Sequence, residues 1–188
     1  MNKTTLIKNA SAIVSCDAND TVYYDSDILI QGPKIIQIGK NIKESADETI
    51  NASGKFIYPG LVNTHHHFFQ TFVRNLVTVD YPNMAVIDWI NEIYEIFKYI
   101  DSDAIYYSSL SAMADLIKHG STTAFDHQYC YPRHAGKELV DRQMDAAELL
   151  GIRYHAGRGA NTLPRSEGST VLMKWLRQQM SFLRIVSV

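Results

Sequence analysis

An α/β fold, with a short all-β segment leading into a parallel sheet, is predicted by three observations. β-Branched runs separated by turns fill residues 5 to 48, and strand and helix patterns then alternate from residue 56 to residue 156. Each strand of that alternation ends in histidine, at His65-His66-His67, Asp126-His127 and His155. Alternation of this kind is the mark of right-handed βαβ units. The 188 residues are 46% hydrophobic and 20% charged with a net charge of -2, the composition of a globular protein of one domain with room for a small second one. Charge so near zero gives no reason to expect nucleic acid or an anionic membrane as partner. The N-terminal residues lack an apolar leader and no window is long enough to span a bilayer, so a cytoplasmic location is expected.

Taken in order, Leu6-Ile7, Ala12-Ile13-Val14, Asp27-Ile28-Leu29-Ile30 and Lys34-Ile35-Ile36-Gln37-Ile38 read as short strands, with Gln31-Gly32-Pro33 as a hairpin turn. Together they predict a small β-sandwich or part of one, ending near Ile50-Asn51-Ala52-Ser53-Gly54. We place the domain boundary there, with residues 1–54 before it and βα units over 55–171 after it. Phe56-Ile57-Tyr58 and Leu61-Val62 read together as one buried strand. Met84 to Phe97 carries Ile87, Ile90, Ile93, Tyr94 and Phe97 on one helical face. Asp101-Ser102-Asp103 offers caps for a second helix that stops at His119-Gly120. A strand follows from Ser121 to His127, a third helix runs from Lys137 to Leu150 and stops at Gly151, and Ile152 to Ala156 is again a strand.

The histidine triplet is the first candidate site. A period of two puts His65 and His67 on one face with His66 turned away, and two imidazoles so spaced chelate one divalent ion. Three histidines at a polar rim satisfy the same pattern without a metal. Ligands gather at the carboxyl ends of parallel strands, which brings His127, His155 and Arg158 to the same rim. The two histidines are read as strand-end residues bonded to backbone. Arg158 is either a substrate or loop anchor or a plain surface charge. His119 and His134 read as solvated helix-end or loop residues. Cys16 and Cys130 stand apart and read as packed small residues. Phe68, Phe69, Phe72, Trp89, Tyr129 and Tyr131 could stack on a flat ring, although core packing is the commoner use of such residues, and it is the reading preferred for Trp89.

With Pro59-Gly60-Leu61-Val62-Asn63-Thr64-His65-His66-His67 before it and Gln70 after it, this site resembles that of the amidohydrolase superfamily of metal-dependent hydrolases. Its likeness is to the cytosine, guanine and 8-oxoguanine deaminase and chlorotriazine hydrolase branch. The Ile28 to Gly39 hairpin, Gly120-Ser121-Thr122-Thr123 and Gly151-Ile152-Arg153-Tyr154-His155-Ala156 also look like family segments, so the likeness covers about residues 5 to 170. The resemblance implies a β-sandwich packed on a (β/α)8 TIM barrel, of which about three strands are present. It implies His65 and His67 as ligands of one divalent ion, zinc or else iron, and Gln70 as a contact to a heterocyclic substrate, with Arg158 a second candidate contact. The implied activity is hydrolysis of a C–N bond on a purine, pterin, pyrimidine or triazine ring by metal-activated water. Longer relatives are expected to form homo-oligomers. Catalytic acid and base stay unassigned, because the family takes them, and its remaining ligands, from later strands. Asp126 belongs to the second strand and does not match the family's late metal-binding Asp. An eight-stranded barrel takes about 250 residues, so the competing expectation is an inactive fragment that binds a metal weakly.

Residues 172–188 depart from the family pattern and contain basic but no acidic side chains. Plausible codons read from the last base of the Val171 codon give an acidic segment like that of the resembled branch. We therefore expect a single-nucleotide loss near Val171, with an out-of-frame tail and an early stop. Resequencing the locus checks this: the expected result is an intact downstream frame encoding further barrel strands, and unrelated downstream sequence contradicts it.

Overall fold

The computed structural model describes residues 2–76, 83–132, 134–136, 138–159 and 185–186. The chain divides into two compact units, Met1–Pro59 and Gly60–Val188. In the first, strands β1 (Thr4–Val14), β2 (Val22–Gln31), β3 (Lys34–Gly39), β4 (Glu48–Asn51) and β5 (Phe56–Ile57) form one sheet in the order β3-β2-β1-β4, with β5 also on β1. The two short strands expected between Leu6 and Val14 are a single strand interrupted by a bulge. Its pairing with β2 shifts register between Ile7 and Ala10, where Asn9 has a φ of 62°. The buried Asp27 carboxylate accepts from the Asn9 amide that the bulge releases, and also from the amide of Ile42 beyond β3. Alternation places Ile13, Ile28 and Ala52 in one buried cluster and Leu6, Leu29 and Ile42 in another. The β2–β3 hairpin turns where expected, with Gly32 at a φ of 54°. Cys16, expected to be packed, is instead exposed in the loop after β1.

The second unit carries β6 (Leu61–Asn63), a 3-10 helix (Phe68–Val73), α1 (Val86–Phe97), α2 (Ser102–Lys118), β7 (Ser121–Gln128), α3 (Leu139–Leu150), β8 (Arg153–Arg158) and β9 (Ile185–Val186). Its sheet has the order β6-β7-β8-β9. The first three strands are parallel, as the βαβ reading requires, whereas β9 pairs antiparallel with β8. The rest of the 172–188 tail, like Arg133 and Lys137, lies outside the described residues. Asp101 caps α2 by accepting from the Ala104 amide at 2.8 Å. Gly151 ends α3 in the left-handed region at φ 69°, its amide bonding the Ala147 carbonyl.

Residues 56–62 do not form the one buried strand expected. Phe56–Ile57 pairs with β1 in the first sheet, while Leu61–Asn63 pairs with β7 in the second. Pro59 between them has no N–H to donate to a ladder. At Gly60, a Cβ would come within 2.1 Å of the Thr122 side chain, so only glycine fits there. Leu61 and Val62 are 60% and 61% exposed. Burial of a strand face is conferred by whatever packs on it, and among the described residues β6 stands at the sheet edge bonded to β7 alone.

Two apolar clusters fill the second unit. Phe68, Met113, Ala124, Ala147, Ile152 and Tyr154 belong to one, and Phe69, Ile93, Phe97, Ile105, Cys130 and Leu139 to the other. Trp89, Tyr129 and Tyr131 pack against the second as partly buried groups. Within this apolar setting lies a polar network formed by Asp126, Gln128, Gln143 and Tyr154, each no more than 1% exposed. The Gln143 carboxamide donates to Asp126 Oδ2 at 2.7 Å and accepts from the Tyr154 hydroxyl at 2.8 Å. Gln128 donates to the Cys130 carbonyl at 2.6 Å. Burial pushes the Asp126 carboxyl up to about 7, against the pull of its donors.

Two stability effects follow. Replacing Asp101 by Ala removes the α2 cap and lowers unfolding free energy by about 1 kcal/mol, measured by urea titration followed by circular dichroism. Asp126 gives a pH dependence of definite sign, since its folded value of about 7 lies above the ordinary 3.8. Below about pH 4 both states hold the proton; between there and about 7 only the folded state keeps it, so stability falls as pH rises. The loss is at most about 4 kcal/mol and levels off above pH 7. Asp126→Asn removes this decline, as the difference between wild-type and variant urea midpoints at about pH 4.5 and about pH 7.5 would show.

Candidate functional site

The histidine triplet lies just beyond β6, which ends at Asn63, and not on the strand itself as the period-of-two reading supposed. The imidazoles nevertheless converge, because the next strand holds this stretch. The His127 amide donates to the His66 carbonyl at 2.9 Å. The His127 carbonyl accepts from His67 Nδ1 at 2.9 Å. The Asp126 carboxylate accepts from the Phe68 amide at 2.7 Å. Three consecutive residues of the loop are thus bonded to two consecutive residues of β7. Phe68 and Phe69 then enter the two apolar clusters, 0% and 2% exposed. Their burial contributes roughly 1.5–3 kcal/mol each, enough to hold the 3-10 helix that starts directly after His67.

His65 Nε2 and His67 Nε2 stand 3.3 Å apart. A carbonyl can only accept, so Nδ1 of His67 carries the proton and Nε2 of the neutral ring presents a lone pair. Burial lowers His67 from its ordinary value, aided by the neighbouring His65 and His127 and opposed by the bond to the His127 carbonyl. The neutral, ligating form is therefore favoured. Two nitrogens about 2.0–2.1 Å from one tetrahedral ion are about 3.3–3.4 Å apart, and the observed separation fits. Among the described residues no group of three or more His, Cys, Asp or Glu side chains is arranged to hold an ion.

His66 turns the other way, half-buried with its ring 4.7 Å from Phe68. His127 brings its ring to 5.0 Å from His65, while its main chain does the bonding described above. His155 sits against Phe125 at 4.9 Å, away from the pair's hydrogen bonds. His119 and His134 are exposed, as expected. Cys130 is buried and its thiol is pushed up to about 12, so it is inert as a nucleophile.

Gln70 lies on the 3-10 helix and donates to the Tyr129 hydroxyl at 2.8 Å. The Tyr129 ring also meets His67 edge-on at 5.1 Å, so one phenol touches both the His67 imidazole and the Gln70 carboxamide. Arg158, at the end of β8, stacks its guanidinium 4.5 Å from the centre of the Tyr131 ring. Tyr131 in turn donates to the Gln128 carbonyl at 3.0 Å, and burial raises its pKa well above the ordinary phenol range. Sequence reasoning missed the Tyr129–Gln70 bond and the Asp126–Phe68 bond. Both join residues about sixty positions apart, and the one local signal was an acidic residue at an inward position of the strand, two residues from the buried Ala124.

Among the described residues no helix is long and apolar enough to cross a membrane. The sequence profile of the Amidohydrolase family matches residues 56–181. Hydroxydechloroatrazine ethylaminohydrolase of Pseudomonas sp. (strain ADP) is 49% identical over 178 residues, covering 89% of this chain and 37% of that protein. The 8-oxoguanine deaminase of Pseudomonas aeruginosa PAO1 is 29% identical, covering 87% of this chain and 36% of its own length. The crystal structure of atrazine chlorohydrolase from Arthrobacter aurescens TC1, complexed with zinc, superposes with a TM-score of 0.77 at 28% identity, covering 88% of this chain and 38% of that one. The chain therefore spans a little over a third of the length of these relatives, and its α/β unit is the corresponding part of their TIM barrel. On the profile match and these likenesses, the chain belongs to the amidohydrolase family.

Proposed function

We propose that this chain carries the first-strand portion of a metal-dependent hydrolytic centre that cleaves a C–N bond on a heterocyclic ring, with a triazine or purine as the substrate class. The observation that carries the reading is the facing pair of His65 and His67 nitrogens 3.3 Å apart, with the His67 tautomer set by the His127 carbonyl. Relatives named for hydroxydechloroatrazine and 8-oxoguanine support the substrate class. The zinc complex of a structural relative supports zinc as the ion, ahead of iron.

His65 and His67 would hold the ion through Nε2. A divalent ion at that point supplies water activation near neutral pH and polarises an electrophilic ring carbon. Gln70, with one amide N–H held by Tyr129, offers one donor and one acceptor, which match the alternating carbonyl and amidine edge of such a ring. Arg158 offers further donors, its plane fixed by the Tyr131 ring. In the net reaction water adds at the ring carbon, the bond to the exocyclic nitrogen breaks, and the amine leaves with a proton.

A second reading, metal binding without turnover by the 188-residue chain, is favoured by the two-ligand donor set among the described residues. Titration of the chain with zinc chloride in a calorimeter tests the site. The expected result is weak binding of one ion, reduced about tenfold or more by either His65→Ala or His67→Ala. Equal binding by wild type and both variants contradicts the reading. Assays for amine release from a hydroxylated alkylamino-triazine and for ammonia from 8-oxoguanine, with zinc added, separate the two readings. Turnover that is lost in Gln70→Ala favours the first, and zinc binding without turnover favours the second.

A further inference from the structure

We propose that Asp126 is a positioning residue for the imidazole pair: its carboxylate holds the Phe68 amide, and thereby the backbone from which His67 reaches the ion, while Gln143 and Tyr154 hold the carboxylate. This inference rests on the reading of His65 and His67 as ligands. Asp126 is fully buried and does not face the ion-holding nitrogens. One oxygen receives the Phe68 amide at 2.7 Å and the other receives Gln143 at 2.7 Å. Gln143 lies on α3 and is braced by the Tyr154 hydroxyl at 2.8 Å, on β8. A chain of hydrogen bonds therefore runs from the third strand and its preceding helix to the residue directly after His67.

The arrangement is more specific than core filling. Phe68 is the first residue of the 3-10 helix, so its amide has no partner within that helix and depends on an outside acceptor. Losing that acceptor releases the one bond between β7 and the loop on the C-terminal side of His67. The two bonds to His127 lie on its N-terminal side or on the ring itself. The His67 ring then loses the alignment that keeps Nδ1 on the His127 carbonyl and Nε2 toward His65. Outer groups that orient ligating histidines have large effects on metal affinity for this reason.

The test uses the full 188-residue chain and cobalt(II), whose visible absorption reports ligation. Asp126→Ala should weaken cobalt affinity by about 10- to 100-fold, and Asp126→Asn, whose carboxamide oxygen still accepts the Phe68 amide, should stay within about threefold of wild type. Ile93→Val, a core change in α1, should leave affinity unaltered although it lowers stability. A folded Asp126→Ala chain with wild-type affinity overturns the proposal, as does an Asn variant as weak as the Ala variant. A metal-free readout stands beside these. Long-range proton–nitrogen spectra should show His67 as a single Nδ1–H tautomer in wild type and Asp126→Asn, and as a mixture in Asp126→Ala. If Asp126→Ala does not fold, amide exchange in the wild-type chain decides: Phe68 should be protected at the level of the β7 amides, and exchange as fast as an open loop overturns the proposal. Unchanged cobalt binding in His65→Ala and His67→Ala would remove the metal reading, while the tautomer and exchange results would still decide the role of Asp126.

Discussion

Main-chain pairing along β7 sets where everything in the second unit stands. This strand is bonded on both edges, to β6 and β8, and its inward residues Ala124, Asp126 and Gln128 are all buried. Its last residues continue the pairing past the end of β6, taking the histidine loop as if it were a further stretch of strand. The loop is irregular, yet its carbonyl and amide groups are satisfied by a regular neighbour. Precision at the site thus comes from a rigid element one strand away, and the loop needs little order of its own.

Burial and polarity are in tension at the same place. A carboxylate inside an apolar cluster costs stability unless its oxygens are satisfied. Here two donors meet it, and the remaining penalty appears as a raised proton affinity. An apolar side chain of similar size at this position could not accept the first amide of the 3-10 helix, which the carboxylate does. Phe68 and Phe69 divide the apolar share of the work between two clusters, so the segment after His67 is fixed from both sides.

Local features were legible in the sequence because they rest on local chemistry. The Asp101 cap, the stop at Gly120, the left-handed Gly151 and the Gly32 turn each follow from residue type and immediate neighbours, and each stands where expected. The convergence of His65 and His67 was also foreseen, but for another reason: the strand that was to carry them ends at Asn63. Bonds to residues sixty positions away produce the result. Leu61 and Val62 were misjudged because their apolar character says they can be buried, not that anything packs on them. Cys16 was misjudged in the same way. Asp126 was set aside as a ligand on topological grounds, and its structural part could not be read without the fold.

The two consecutive residues that hold the loop do so by different means, and this has an evolutionary consequence. His127 acts through its amide and carbonyl, atoms that every residue other than proline provides. Asp126 acts through its side chain. Position 127 can therefore change its side chain, which lies beside the imidazole pair, without moving the loop. Adjacent positions on one strand are thus divided between a side-chain anchor and a main-chain anchor, so the loop restricts the residue type at 126 and leaves position 127 open to any residue but proline.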